Sequence, residues 1–299
     1  METTRTLKSQ RRWRWPQRTK NTVLYALMRG GHALARALPL RGLLRLLGCM
    51  APYLFRREAK RARAQLSLAL PQLDATKTTR RMFVHFAQSI WELSRLHREV
   101  PILDGAARRV LDDALAAGRG AVVISGHIGN WELLGHAIAA AGYPITTLAK
   151  PSYDPRVTQW LQKWRALHGL KIIWRDKSNA GKMILSALRH NSLIAFLIDQ
   201  DIKAAGDFVP FFGRPAFTPT TPAALALRTG APVIVCWHQR RHKLHAIAVE
   251  RIDYVPTGNA AHDALALTAT ITERLESIIR AAPEQWVWLH KRWRKFPAG

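Results

Sequence analysis

Residues 121–132 read AVVISGHIGNWE and set an imidazole, His127, five positions ahead of a carboxylate, Glu132. The apolar run 121–125 has the character of a buried strand. Asn130 stands where a cap belongs before the helical run WELLGHAIAA. His127 then falls in a strand-to-helix loop and Glu132 in the first helical turn. On an unbroken helix the two side chains would face different ways, but a loop between them lets them converge. The unsatisfied N–H groups and the dipole at a helix start favour an ionised carboxylate there. Such a carboxylate beside an imidazole fixes the ring tautomer and stabilises an imidazolium, so the pair is suited to taking a proton from a hydroxyl. The spacing alone is weak: a loop histidine followed by an unrelated helix-start glutamate gives the same pattern.

Other residues suited to chemistry stand at comparable places. Asp199, Gln200 and Asp201 close the apolar run SLIAFLI. Polar groups in open α/β sheets gather beyond the carboxyl ends of strands, so this triplet and His127 are expected on one rim. With no further ligand at suitable spacing, the aspartates are read as capping and orienting a loop rather than holding a metal. Lys150 follows the run 145–149, and Arg165 lies within WLQKWRALHG. Each suits a phosphate or carboxylate, Arg165 bidentately, while a solvated helix face explains an isolated arginine equally well. The segment KAAGDFVPFFGRPAFTPTTP reads as a loop whose apolar side chains, Phe211 and Phe212 among them, either line a groove for an acyl chain or fold onto the core. The tail PEQWVWLHKRWRKF alternates tryptophan with cations, a mixture that serves nucleic-acid stacking and a membrane interface alike. It carries no nucleic-acid-binding motif.

The elements that must position these residues follow an α/β rhythm from residue 104. Strands are expected at 121–125, 145–149, 171–174, 193–198, 232–238 and 244–252. Helices are expected at 131–141, 155–168, 180–190, 222–229 and 262–281. Asp154-Pro155 and Thr221-Pro222 mark helix starts, and Gly118 and Gly230 mark stops. Strands separated by such helices predict a mostly parallel central sheet flanked by helices. Residues 56–100 read as two helices broken at Pro71. The expected organisation is a basic, amphipathic, membrane-associating segment over 1–55 and one α/β domain over 56–299.

Within 1–55, residues 1–20 form a basic, Trp-containing leader, either a disordered tail or a membrane-contacting arm. Residues 21–55 are rich in Leu and Ala, but arginines limit the longest charge-free run to about ten residues. A spanning helix needs roughly 20. Two amphipathic helices are expected, lying on a membrane surface or packed on the core. A cleavable signal peptide is not indicated.

The chain of 299 residues has 46 Lys and Arg against 20 Asp and Glu, a net charge of +26 that attracts polyanions of any kind. Its two cysteines, Cys49 and Cys236, form neither a CxxC pair nor a Cys/His cluster, so neither a structural zinc site nor a disulfide framework is indicated. A reducing compartment fits.

Taken in order, GHIGNWE, the KP…DP…R…G block, DQD with VPFFGRPAFTPTTPAALALRTGAPV, and PEQWVWLHKRW resemble the lipid A biosynthesis acyltransferases of the lauroyl/myristoyl type. These are related to the phosphatidylinositol mannoside acyltransferases. The resemblance runs from about residue 20 to the end. It implies a glycerolipid-acyltransferase-like fold on the cytoplasmic face of a bacterial inner membrane, peripheral or monotopic. It implies an acyl thioester co-substrate carried by acyl carrier protein, a hydroxyl acceptor on an anionic membrane lipid such as a lipid A precursor, no other cofactor, no metal and no nucleic acid. His127 then matches the general base and Glu132 its partner, with Arg165 and the Asp199–Asp201 block in the substrate site and backbone N–H groups near Gly129 and Asn130 around the oxyanion. Lys150 stands where relatives commonly carry arginine, and an ammonium offers an anion a point charge rather than a bidentate fork. The N-terminal segment lacks the long apolar span of many relatives, which favours surface attachment. A non-catalytic membrane- or nucleic-acid-binding protein is the alternative from another class.

Overall fold

The computed structural model describes residues 15–96, 100–241 and 244–295. The basic leader read over 1–20 lies largely outside them. Four helices come first: α1 (Trp15–Ala37), α2 (Arg41–Leu54), α3 (Arg56–Ala69) and α4 (Ala75–Ser94). An α/β succession follows: α5 (Gly105–Leu115), β1 (Ala121–Ser125), α6 (Trp131–Ala140), β2 (Ile145–Ala149), α7 (Pro155–Leu167), β3 (Lys171–Trp174), α8 (Ala180–Arg189) and β4 (Leu193–Leu197). The chain closes with β5 (Gly206–Phe211), β6 (Arg214–Pro219), α9 (Thr221–Thr229), β7 (Val233–Arg241), β8 (Leu244–Ile252) and α10 (Ala260–Ala281), then a short 3-10 turn at Pro283–Gln285.

The central sheet runs β3-β2-β4-β1-β7-β8, parallel throughout except for β8, which pairs antiparallel with β7 at one edge. This is the expected class of fold: a mostly parallel sheet covered on both faces. β1 is buried at every position, as a strand between two helical layers must be. One face packs on α3, α8, α9 and α10 through Leu66, Leu188, Leu225 and Leu275, and the other on α5 and α6 through Leu111 and Ile138. Side-chain caps set five helix starts: Asn130 and Asp154, as the sequence suggests, and also Asp74, Asp104 and Asn259 each accept a backbone N–H of the first turn.

One element differs from expectation. The segment after DQD is not an open loop but a β-hairpin, β5-β6. Phe212 and Gly213 form its two-residue turn with φ of 54° and 70°. Positive φ at both central residues matches the twist of a tight hairpin, and glycine supplies one of them without strain.

The two N-terminal helices do form. α2 lies against α4 closely enough that a Cβ at Gly48 would meet Val84 Cα at 2.8 Å. Arg95 of the α4 end donates to the Arg36 carbonyl of α1 at 2.9 Å. No helix of the described residues is long and apolar enough to cross a membrane.

Candidate active site

The register of the sheet brings the site together. In the β1–β4 pair, Ser125 lies opposite Leu197. Two residues further along each strand come His127 and Asp199. The His127 ring Nδ1–H donates to Asp199 Oδ1 at 2.8 Å, and the His127 backbone N–H donates to Oδ2 at 2.7 Å. Trp286 Nε1–H donates to the same Oδ2 at 2.7 Å. Gly126 leaves room for this approach, since a Cβ there would press on the Asp199 carboxylate at 3.2 Å.

Asp199 is 2% exposed. Burial opposes its ionisation, yet the His127 ring and the hydrogen bonds from His127 and Trp286 hold its carboxyl well below the usual carboxylate range. An ionised Asp199 keeps the proton on Nδ1 and leaves the Nε2 lone pair of His127 as the basic atom. Gln200 lies 3.0 Å from that Nε2 and also contacts His290, whose ring stands 5.1 Å from that of His127. Burial pushes the His290 pKa down to about 4, so that ring is neutral near pH 7.

The carboxylate that meets His127 is therefore not the expected Glu132. Glu132 is engaged by Arg165, which donates Nε–H to Oε2 at 2.8 Å and a second N–H to Oε1. The helix start turns Glu132 toward α7, and the arginine fork binds it bidentately. Glu132 and Arg165 nevertheless line the same cavity as His127, together with Lys150 and Gln200.

That cavity has a volume of about 600 Å³. Ile145, Thr147 and Ala149 share one face of β2, and Leu134, Gly135 and Ile138 share one face of α6; both rows line it, as do Val123, Leu170 and Ala195. It runs back from the carboxyl ends of the strands to Ile145 at the start of β2, about 13 Å at the rise of a strand. Its wall is mainly apolar and its polar groups gather at one end.

Several expected site residues do other work. Asn130 is buried; its N–H donates to His238 Nδ1 at 2.9 Å and its amide to Glu92 at 3.0 Å. The Gly129 N–H donates to the Gln285 carbonyl at 2.7 Å. Both backbone donors are thus consumed inside the protein and are not open to an oxyanion. Gly129 is needed for another reason: its φ is +59°, and a Cβ would lie 2.1 Å from the His238 carbonyl oxygen. Asp201 holds the tail, pairing with Arg294 at 3.1 Å and Lys295 at 3.4 Å. Phe211 and Phe212 are 1% and 6% exposed and pack among Trp286, Trp288 and Trp293, so these two rings fold onto the core and do not line the cavity, which the hairpin meets only at Pro219. The C-terminal Trp286 and Trp288 are buried, as is Arg292, whose guanidinium donates to the Phe217 carbonyl and Thr218 hydroxyl at 2.6 Å each. Those residues face neither nucleic acid nor membrane.

Beneath the His127 loop lies a buried polar network that sequence reading missed. β7 extends past the end of its pairing with β1, which carries His238 and Arg240 alongside residues 126–130. Arg240 pairs bidentately with Glu92 of α4 at 2.7 and 2.6 Å. His238 accepts from the Asn130 N–H, so its Nε2 carries the proton and donates to His245 Nδ1 at 2.9 Å. Burial, then the neighbouring His245 and Arg240, push the His238 pKa down to about 2. His85, Ser89 and Glu92 at i, i+4 and i+7 of α4 were the legible part of this cluster, since they fall on one helix face; their partners on β7 are about 150 residues away in sequence.

The site is thus a histidine–aspartate pair at the carboxyl end of a parallel sheet, beside a mainly apolar cavity, in an α/β protein. Comparison with known proteins gives the family: the profile of the bacterial lipid A biosynthesis acyltransferases matches residues 12–295, and the chain belongs to that family. It is similar to the phosphatidylinositol mannoside acyltransferase of Mycobacterium tuberculosis (strain H37Rv), 28% identical over 187 residues, 61% of this chain and 57% of that protein. It is also similar to two proteins of Escherichia coli (strain K12). One is the lipid A biosynthesis palmitoleoyltransferase, 26% identical over 273 residues, 85% of this chain and 84% of that protein. The other is the lipid A biosynthesis lauroyltransferase, 25% identical over 267 residues with the same shares.

Proposed function

We propose that this protein transfers a fatty acyl chain from an acyl thioester, carried by acyl carrier protein, to a hydroxyl of a membrane glycolipid such as a lipid A precursor. The observation that carries the reading is the His127 imidazole, fixed by buried Asp199, at the polar end of an apolar cavity of about 600 Å³. Membership of the family and the names of its relatives support the reaction class.

In this scheme the acyl chain lies along the cavity with its thioester at the polar end. His127 Nε2 takes the proton of the acceptor hydroxyl as the oxygen attacks the thioester carbonyl. Asp199 stabilises the imidazolium. The Arg165 guanidinium, oriented by Glu132, and the first-turn N–H groups of Trp131 and Glu132, which have no partner among the described residues, supply positive potential where the carbonyl oxygen becomes an oxyanion. The tetrahedral intermediate expels the thiolate, which takes the proton from His127. No covalent acyl-enzyme is needed, and the chain has no GxSxG elbow. The exposed apolar residues of α1 and α2, Leu24, Leu27, Leu43 and Leu46 among them, with neighbouring arginines, seat the protein on the membrane surface at the inner, cytoplasmic face, and the basic field attracts an acidic carrier protein.

The test is incubation with acyl carrier protein bearing a labelled fatty acid and, in parallel, a lipid A precursor and a mannosylated phosphatidylinositol. Label enters one of the lipids with the wild type and is lost by at least about 10³-fold in His127→Ala. Lipid binding without label transfer by the wild type would instead indicate a non-catalytic binding protein.

A further inference from the structure

Away from the cavity just described, the ends of α2, α3 and α4 enclose a groove of about 370 Å³ lined by Arg56, Lys60, Arg63 and Arg80, with Tyr53 and Thr76. We propose that this groove binds the phosphate of an anionic lipid headgroup while the neighbouring apolar side chains enter the membrane.

Three observations carry this. First, the cations are arranged and not merely abundant. Arg56, Lys60 and Arg63 follow i, i+4, i+7 on α3, and Thr76 and Arg80 follow i, i+4 on α4, so each helix turns one row toward the same concavity. Second, nothing among the described residues compensates them: none of these is an acidic side chain lining the groove, and none is an ion-pair or hydrogen-bond partner of the four. Like charges at i, i+4 on one helix are destabilising, and a second helix adds another cation. A bound anion relieves that repulsion, and a phosphate offers several acceptor oxygens to guanidinium forks. Third, the groove adjoins an apolar surface. Tyr53, Leu54 and Phe55 at the end of α2 are 68%, 70% and 55% exposed, and Leu43, Leu46, Leu47 and Met50 are exposed along the same helix. Apolar groups in the acyl boundary with cations at headgroup depth is the arrangement of a protein lying on an anionic bilayer. An acidic protein partner would leave that apolar surface in water.

The inference rests on the reading of a membrane-lipid substrate, but its test does not use turnover. Binding is measured to phosphatidylcholine vesicles containing equal mole fractions of either phosphatidic acid or oleate. The quadruple variant Arg56→Gln/Lys60→Gln/Arg63→Gln/Arg80→Gln is compared with a charge-matched control, Arg109→Gln/Lys171→Gln/Lys182→Gln/Arg189→Gln. The double variant Arg56→Gln/Arg80→Gln serves if the quadruple one unfolds. The groove variant is expected to lose at least about tenfold in affinity for phosphatidic acid vesicles, the control at most about threefold, and the two to fall alike on oleate vesicles. Equal losses by both variants on phosphatidic acid, or equal losses by the groove variant on both vesicle types, would overturn the site. Displacement of the wild type from vesicles by equimolar inorganic phosphate would overturn the lipid assignment. Unchanged vesicle affinity with lost binding to apo acyl carrier protein would assign the groove to the protein partner. His127→Ala is expected to bind vesicles as the wild type does, so a failed acyl-transfer reading and a failed groove give different results.

Discussion

In the proposed mechanism His127 works only if its proton sits on Nδ1, and the residues around it are disposed to ensure that. Asp199 accepts both the ring and the backbone N–H of His127, so the loop and the tautomer are set by one carboxylate. Asn130 fixes the other end of the loop: its Oδ1 caps α6, and its N–H is held by His238. Replacing His238 by leucine leaves that buried N–H without an acceptor, at a cost of about 1–3 kcal/mol. His238→Leu is expected to lower the thermal midpoint and the rate of transfer together, while His238→Asn, which keeps an acceptor oxygen near the Nδ1 position, recovers most of both. Equal losses in the two variants, read by calorimetry and labelled-acyl assay, would mean that ring packing and not the hydrogen bond matters. At this scale the sequence was partly legible. His127 and the Asp199–Asp201 block were expected on one rim, and they share it. That they touch was not legible, because the contact depends on β1 and β4 being neighbours in register across 72 residues. Glu132 was the nearer carboxylate in sequence, but α6 turns it toward Arg165.

Among the elements, α6 has two tasks. Its first turn faces the polar end of the cavity, and its row Leu134, Gly135, Ile138 roofs the apolar part. Gly135 keeps that roof open, since a Cβ there would reach the Leu170 side chain at 3.2 Å. Gly135→Leu is expected to shorten the preferred acyl chain. Each methylene excluded from the cavity forfeits about 0.8 kcal/mol, roughly fourfold in kcat/KM. A competition between donors of different length reads this directly, and an unchanged preference would place the acyl chain elsewhere. The strands and helices themselves were legible almost residue by residue, because apolar runs, Asx caps and glycine stops coincide with them. The hairpin β5-β6 was not. Three prolines, Pro210, Pro215 and Pro219, and a Phe-Gly turn with an unusual positive φ at Phe212 disguise it, and its Phe211 and Phe212 meet the C-terminal tryptophans in the core.

The whole molecule is strongly cationic and buries several histidines in their neutral form. Burial is the leading cause in each: it holds His85, His136 and His290 to about 4 and His238 to about 2, against 6.5 for a free ring. The unfolded chain therefore binds more protons than the folded one below about pH 6.5, and stability present above that pH is lost as it falls toward 4. The thermal midpoint is expected to drop by at least about 5 °C between pH 7 and pH 5; a flat profile would show that these rings are not held neutral. The buried tail is the part of the molecule that composition misrepresents. Tryptophans among cations suggest a binding surface, yet Trp286, Trp288 and Arg292 are interior, and Trp286 supports Asp199. All three scales converge on the ionised, buried Asp199 that, in the proposed mechanism, makes His127 a base. The most direct test is the single-turnover rate of acyl transfer by Asp199→Asn, with circular dichroism to establish folding. We predict a fall of about 10³- to 10⁴-fold in a folded protein, as expected when a base loses the partner that sets its tautomer; turnover within about tenfold of the wild type would contradict the account.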